Sequence, residues 1–378
     1  MIHRFPKYYK DFVCTADKCR DNCCRGKWDI EIDEDTLARF EAAPEEKKER
    51  LLERVLIKDE IPVFKVRRGG CEWLDENGLC SLYKEFGEEY QANVCRKFPR
   101  FSEYFGNLKE SGLGLSCEEA VRLIFTCEDD SVTIEESTDE TEFQGSEFDQ
   151  DVADVIFRMR EILVNITLIP DTNNDSLVKT LSEVCERFQD ILDDLSEDGE
   201  KEKALASLDG FEKDHSWESI NRLSVTPEEA LERADAVFTA FSELPDIRKS
   251  FEEVLESIGK RLQDEGLRSR AGEFLKEFDL YMYDNGRYDD YKRFMRYIIF
   301  RYFAKAVYDR DVLLKGKMIV SFYAFLKLYD ITRWLKNNKS FKLKDRISTA
   351  KVFSGEVEYS EDNMQQLFED LLFDEECF

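Results

Sequence analysis

Beyond residue 150 the apolar positions of the chain recur every three or four residues. Val152, Val155, Ile156, Met159, Ile162, Leu163 and Ile166 keep i, i+3, i+4, i+7 spacing until Pro170, as one face of an amphipathic helix does. Leu177, Leu181, Val184, Cys185, Phe188, Ile191 and Leu192 repeat the pattern. Thr226 and Glu229 form a capping box with Pro227 at the first helical position, predicting a helix with Leu231, Ala234, Val237, Phe238 and Phe241 inward. Ser250 and Glu253 predict another helix start. Further helices are expected over about Tyr291 to Tyr308 and about Lys317 to Leu335. With no repeat of period 20–50, the last two-thirds of the chain predict a helical bundle.

The first third is more broken. Trp28 to Ile32 alternates like a short strand, and Asp33 then suits a helix cap. Asn77-Gly78 predicts a tight turn. Ser116 with Glu119 predicts a capping box that places Cys117 in the first turn of a helix through Val121, Leu123 and Ile124. From Glu128 to Asp149 there are ten Asp or Glu and no Lys or Arg, so this block repels itself and is expected to be a loop or linker. The expected fold class is mainly α. A small cysteine-rich, metal-binding α+β domain (1–127) precedes an acidic linker (128–150) and an α-helical domain (151–378).

Composition sharpens this. Across 378 residues Gly (17) and Pro (7) are scarce, which favours long helices. The net charge of −28 disfavours non-specific nucleic-acid binding, which needs cations to neutralise phosphates, and suits a cationic partner. No apolar run approaches the ~18 residues of a membrane span; the best, Met318 to Leu326, stops at Lys327. The N-terminal MIHRFPKYYKDF lacks the apolar core of a secretory signal, so a cytoplasmic location is expected. Thiols stay reduced there, and clustered cysteines point to metal rather than disulfides.

Nine of the eleven cysteines lie at or before Cys127. In order they are Cys14-x4-Cys19-x3-Cys23-Cys24, then Cys71-x8-Cys80, Cys95 and Cys117. The first four sit in the polar, basic segment CTADKCRDNCCRGKW, where Lys18, Arg20, Arg25 and Lys27 would favour thiolates. Such a group binds metal, as tetrahedral zinc or as an iron–sulfur cluster. The spacing is neither a zinc ribbon nor a bacterial ferredoxin run. It also departs from the CxxxCxxC of radical S-adenosylmethionine enzymes, because position 26 is Gly26. Cys127 and Cys185 end or line apolar helix faces, and Cys377 is a terminal thiol.

Cys23-Cys24 with Trp28 and the following Ile-x-Ile-Asp, then CEWLDENGLCSLYKEFGEE, VCRKFPR and GLSCEEAVRL, resemble the flagellin lysine N-methylase family. RYIIFRYFAKAVYDRDVLLKGKMIV resembles that family's C-terminal segment. The resemblance covers about residues 8–127 and 290–330; the cysteine block alone also resembles a broader group of iron- or zinc-binding proteins. It implies a bacterial cytoplasmic enzyme that moves methyl groups from S-adenosylmethionine to lysines of flagellin before export. It also implies an iron–sulfur cluster, four-iron by first expectation with zinc as the alternative, held among Cys14, Cys19, Cys23, Cys24, Cys71, Cys80, Cys95 and Cys117. No catalytic residues carry over.

A lysine amine attacks a methyl group only when neutral, against an ordinary pKa of about 10.4, so the site must desolvate it or offer a base. That displacement needs no radical, so the cluster is expected to be structural, the alternative being that it holds the cofactor's amino-carboxylate at an open iron site. There is no GxGxxG; Gly112-x-Gly114 runs into Leu-Ser-Cys, which argues against a Rossmann methyltransferase. Arg287 to Lys317 carries nine basic and four acidic residues, either as a helix whose arginines pair with acidic surface or as an anion- or partner-binding face. Arg301 and Asp309 are candidates for substrate or cofactor contacts. Histidine catalysis is disfavoured, with His3 expected in a tail and His215 at the surface. The rival expectation is a non-catalytic iron–sulfur or zinc module whose helical domain docks a partner.

Overall fold

The computed structural model describes residues 1–20, 22–25, 29–67, 70–136, 148–195, 200–214 and 225–373. Trp28, His215, Cys377 and residues 137–147 of the acidic block lie outside them. The fold is mainly α, in two compact units, Met1–Phe143 and Gln144–Phe378. Among the described residues no helix is long and apolar enough to cross a membrane.

Among the described residues the first unit has eight short strands: β1 (Ile2–Pro6), β2 (Val55–Lys58), β3 (Ile61–Phe64), β4 (Val66–Arg67), β5 (Gly70–Cys71), β6 (Arg100–Phe105), β7 (Leu108–Leu113) and β8 (Val132–Glu136). Its helices are α1 (Glu34–Glu41), α2 (Glu45–Leu52), α3 (Ser81–Phe86), α4 (Asn93–Lys97) and α5 (Glu118–Thr126). One sheet runs β6-β7-β1-β8, with β1 parallel to β7 and antiparallel to β8; two hairpins, β2-β3 and β4-β5, stand apart from it. Asp33 caps α1 by accepting from the Thr36 amide, as its sequence position predicts. Ile30, Ile32, Phe40, Phe64, Trp73 and Leu82 form a core on which Cys24, Cys80 and Cys95 pack.

Two expectations change here. The N-terminus is no tail: His3 lies in β1 and its Nε2 is 2.9 Å from Ser111 Oγ. The segment read as linker contributes β8, where Thr133 and Glu135 pair with Phe5 and His3. Charge predicts solvation for this segment, but an edge strand satisfies its backbone on β1 while its carboxylates stay in water. Lys10 meets Glu135 at 2.6 Å. Of the Trp28–Ile32 strand, the described part makes an isolated bridge, Glu31 to Val63.

The second unit is helical: α6 (Gln150–Thr167), α7 (Asn174–Asp193), α8 (Lys201–Asp214), α9 (Pro227–Ser242), α10 (Lys249–Leu262), α11 (Glu265–Arg268) and α12 (Ala271–Asp284) are followed by α13 (Asp290–Tyr302), α14 (Ala306–Asp309), α15 (Val312–Lys336), α16 (Leu343–Glu356) and α17 (Glu361–Phe373). The central α15 buries residues on all sides and packs against α7, α9, α10, α13, α16 and α17. Phe241 and Phe325 stack at 3.9 Å beside Phe353 and Phe322. Where α15 meets α7, a Cβ on Gly316 would stand 2.6 Å from Cys185 Cβ, so glycine is what lets these helices approach.

The Thr226–Glu229 capping box with Pro227 is present on α9. Ser250 does not cap α10. Its helix begins earlier, at Lys249, because the Arg248 amide donates to Glu356 Oε2 at 3.0 Å and this tertiary contact replaces a local cap. The helix expected over Tyr291 to Tyr308 is interrupted by a 3₁₀ turn at Phe303–Lys305 and stops at Arg310, whose φ is 55°. There the Arg310 guanidinium donates to the Leu195 carbonyl at 2.9 Å, a long-range tie that periodicity cannot reveal.

Candidate functional site

The cysteines of the first unit lie on four stretches of chain. Cys23 and Cys24 sit on a 3₁₀ turn, Cys23–Arg25. Asn22 ties this turn to the Asn77-Gly78 turn, donating to the Gly78 carbonyl at 2.8 Å while accepting from the Cys24 amide at 2.9 Å. A Cβ on Gly70 would lie 3.2 Å from the Cys24 carbonyl oxygen, so β5 passes close to the same turn. Gly78 has φ +78°, a conformation that favours glycine and turns the chain from Cys71 back to Cys80. Cys95 lies within α4 and Cys117 is the N-cap of α5.

Their electrostatics map the grouping. Burial pushes the Cys95 thiol well up, and negative charge on Cys71, Cys80 or Cys23 would push it further. Burial raises Cys71 to about 11, opposed by a hydrogen bond from the Trp73 amide and reinforced by Cys80. Cys117 is also raised to about 11 by burial, against hydrogen bonds from the Ala120 and Glu119 amides, with Cys19 and Cys23 adding to the rise. Cys23 thus neighbours both Cys71–Cys80–Cys95 and Cys19–Cys117. The predicted Ser116 cap does not form: Cys117 takes the N-cap position of α5, and the buried Ser116 Oγ has no hydrogen-bond partner among the described residues.

The donor chemistry fits a thiolate-bound metal. All ten described cysteines are free thiols, as ligation by thiolate requires. Among the described residues no three His, Cys, Asp or Glu stand close enough to hold one ion as they are, so binding would draw the thiols inward. Cys14 is exposed, with its sulfur accepting from the Ala16 amide at 3.4 Å, and no described interaction joins it to the others. Cys127 bonds the Ile124 carbonyl at 3.3 Å, and Cys185 is buried against Gly316, as their apolar settings predict. The Gly112-x-Gly114 segment serves packing: a Cβ on Gly112 would meet the Phe101 ring at 2.4 Å.

In the helical unit the two singled-out residues are engaged within the protein. Arg301 is half-buried, 3.1 Å from Glu358 and set against the rings of Tyr297, Tyr302 and Tyr359. Asp309 pairs with Lys315 at 2.5 Å. Sequence reasoning missed two other features. One is a buried charge network: Lys327 Nζ lies 2.7 Å from Asp175 and 3.1 Å from Asp279, and Tyr323 donates to Asp175 at 2.6 Å. Its signal was Lys327 itself, a lone charge closing the apolar run of α15.

The other is a cleft of about 930 Å³ beside that network, between the α6–α7 turn and the segment joining α12 to α13. Leu168, Leu280 and Tyr283, each more than half exposed, are among its lining residues. Three cations, Lys292, Arg293 and Arg296, and three carboxylates, Asp171, Asp279 and Asp289, also line it. Burial holds the Asp279 carboxyl above its ordinary range despite Lys327, and burial lowers the Lys292 ammonium. A cleft with shifted titrating groups is a recurrent mark of a ligand site.

Comparison with known proteins bears on this second unit most directly. Residues 166–378, more than half of the chain, match the family model of the FliB lysine N-methylase C-terminal domain. Lysine-N-methylases of Salmonella choleraesuis and Salmonella typhimurium are each 28% identical over 145 residues, 35% of this chain and 34% of theirs. The flagellar biosynthetic protein FliU of Salmonella muenchen is 28% identical over 131 residues, 32% of this chain and 74% of that protein. The chain therefore spans about a third of the length of the two methylases it matches. No solved structure matches. With the family model covering helices α7 through α17 and the chain between them, the protein belongs to the FliB lysine N-methylase C-terminal domain family.

Proposed function

We propose that the protein is a protein-lysine N-methylase that transfers a methyl group from S-adenosylmethionine to lysine side chains of flagellin. Its first unit would hold an iron–sulfur cluster through the gathered thiols. The observation that carries this is membership of the lysine N-methylase family across the helical unit, together with relatives named for lysine methylation and flagellar biosynthesis. In the transfer, the lone pair of a neutral lysine amine forms the new N–C bond while the C–S bond of the sulfonium breaks. The electron pair returns to sulfur, leaving S-adenosylhomocysteine, and the amine sheds its proton. The protein must hold donor and amine in line at about 3–3.5 Å and strip water from the amine. The −28 charge would speed encounter with a lysine-bearing partner.

Cys23, Cys71, Cys80 and Cys95 are the thiols best placed to share a cluster, with Cys19 and Cys117 adjoining through Cys23. A cluster bound there would supply a rigid crosslink between the β5 hairpin, α4 and the Cys23–Arg25 turn. The cytoplasm is the proposed compartment.

The test is anaerobic incubation of the purified, metal-replete protein with methyl-labelled S-adenosylmethionine and flagellin. Label on flagellin lysines is expected. Its absence, with metal bound and the protein folded, would remove the methylase assignment and favour a metal module that only docks a partner.

A further inference from the structure

We infer that the cleft between the α6–α7 turn and the α12–α13 segment is the methyl-donor site, taking a nucleoside that carries a sulfonium and an amino-acid end. The inference rests on the methylase assignment and adds to it a place and a set of residues.

The cleft has both charge signs in equal number, inside a protein of net charge −28. A bare lysine ammonium would meet Lys292, Arg293 and Arg296. A nucleoside polyphosphate would meet Asp171, Asp279 and Asp289. A ligand with a carboxylate, an ammonium, a sulfonium and hydroxyls offers a partner to each sign. Arg293 and Arg296, on one face of α13, suit the carboxylate, which guanidinium binds in a planar fork. Asp279 and Asp289 suit the ammonium and sugar hydroxyls.

The apolar part of the cleft completes the match. Tyr283 is 65% exposed, Leu280 60% and Leu168 56%, which is unusual for three large apolar side chains lining one cleft. They would cover the flat face of a base, and an aromatic face such as that of Tyr283 also favours a sulfonium. The volume of about 930 Å³ lies within the range of small-molecule sites. Beneath, Asn174 is 1% exposed and its Oδ1 has no hydrogen-bond partner among the described residues, while its amide group donates to the Tyr288 carbonyl at 3.1 Å. Tyr288 itself lines the cleft.

The experiment is titration of the full, metal-replete protein with S-adenosylhomocysteine by calorimetry, for wild type, Arg296→Ala, Tyr283→Ala and the remote surface control Arg187→Glu. Tyr283 is exposed, so its variant keeps the fold even if Arg296→Ala does not; circular dichroism checks both. A loss of affinity of at least tenfold in Tyr283→Ala, with the control unchanged, supports the cleft. Wild-type binding that Tyr283→Ala and a folded Arg296→Ala both retain within twofold overturns the site and leaves the methylase assignment standing. Failure of the wild type to bind both S-adenosylhomocysteine and S-adenosylmethionine overturns the two together.

Discussion

Lys327 Nζ lies 2.7 Å from Asp175 Oδ2 in the interior of the helical unit, with its ammonium also 3.1 Å from Asp279. Burial alone would drive the lysine toward neutrality, yet the two carboxylates hold its pKa above the ordinary value. Lys327→Met should leave these carboxylates facing each other without a cation and cost about 3–5 kcal/mol. For a unit of this size that corresponds to a fall in Tm of about 6–20 °C. Adding Asp175→Asn should recover part of the loss. Thermal unfolding of the three proteins checks this, and a single variant as stable as wild type would mean the network contributes nothing.

The buried tyrosines predict an alkaline limb. Burial raises Tyr291, Tyr297, Tyr302 and Tyr323 well above the ordinary phenol range, with Asp330, Glu358 and Asp175 adding to the rise. In the unfolded chain they ionise near pH 10. The folded state therefore binds more protons above that pH. Their contribution is fully present below about pH 10 and is lost as pH rises toward the folded values, at up to about 1.4 kcal/mol per pH unit per tyrosine. Tyr323→Phe, which also gives up the bond to Asp175, should lower stability at pH 8 and flatten the decline between pH 10 and 11. Urea midpoints at these three pH values measure both effects. Parallel curves for variant and wild type would contradict the assignment.

Although the Ser116 and Ser250 caps do not form, local chemistry was legible in the sequence at several places where cause and effect lie within one turn of chain. Asp33, the Thr226–Glu229 box, Gly78 and the apolar faces of α6 and α7 are of this kind. What the sequence hid depends on partners far along the chain. The Arg248 amide finds Glu356, and Arg301 finds Glu358, so neither a local cap nor an open anion site forms. The β8 strand was hidden for the same reason, since its carboxylates describe its exposed side chains and not the backbone of β1 that it pairs with. The cysteines stood out in the sequence, but their neighbours did not, because spacing does not say that Cys23 neighbours both the Cys71–Cys80–Cys95 trio and the Cys19–Cys117 pair. The cleft has no motif at all: two connecting segments distant in sequence build it, and its residues become a set only in space.

The approach of α15 to α7 rests on Gly316, where a Cβ would overlap Cys185. In an exposed helix, Gly316→Ala would gain up to about 1 kcal/mol of helix propensity. Here overlap should outweigh that gain, and Gly316→Val should destabilise by about 1–3 kcal/mol through overpacking. Pairing Gly316→Val with Cys185→Gly frees the space and should recover part of the loss. Denaturant midpoints for the single and double variants test the contact, and purely additive effects would show that α7 and α15 do not meet there.

The thiols predict a division between Cys95 and Cys127. Cys95 is half-buried near Cys71, Cys80 and Cys23, whereas Cys127 closes α5 on the Ile124 carbonyl. If the first group holds the cluster, Cys95→Ser should remove metal, iron and sulfide together. It should also loosen the first unit, whose core includes Cys71 and packs against Cys24, Cys80 and Cys95, because metal binding there is folding energy. Cys127→Ser should keep full metal content and melt within about 0.5 kcal/mol of wild type, as ordinary substitutions away from such features do. Iron, sulfide and zinc analysis after anaerobic purification, with proteolysis of the first unit as the structural readout, separates the cases. A Cys95→Ser protein that retains metal and resists proteolysis like wild type would take Cys95 out of the ligand set. Loss of zinc without iron would instead assign the gathered thiols to a single-ion centre, into which the four sulfurs must close.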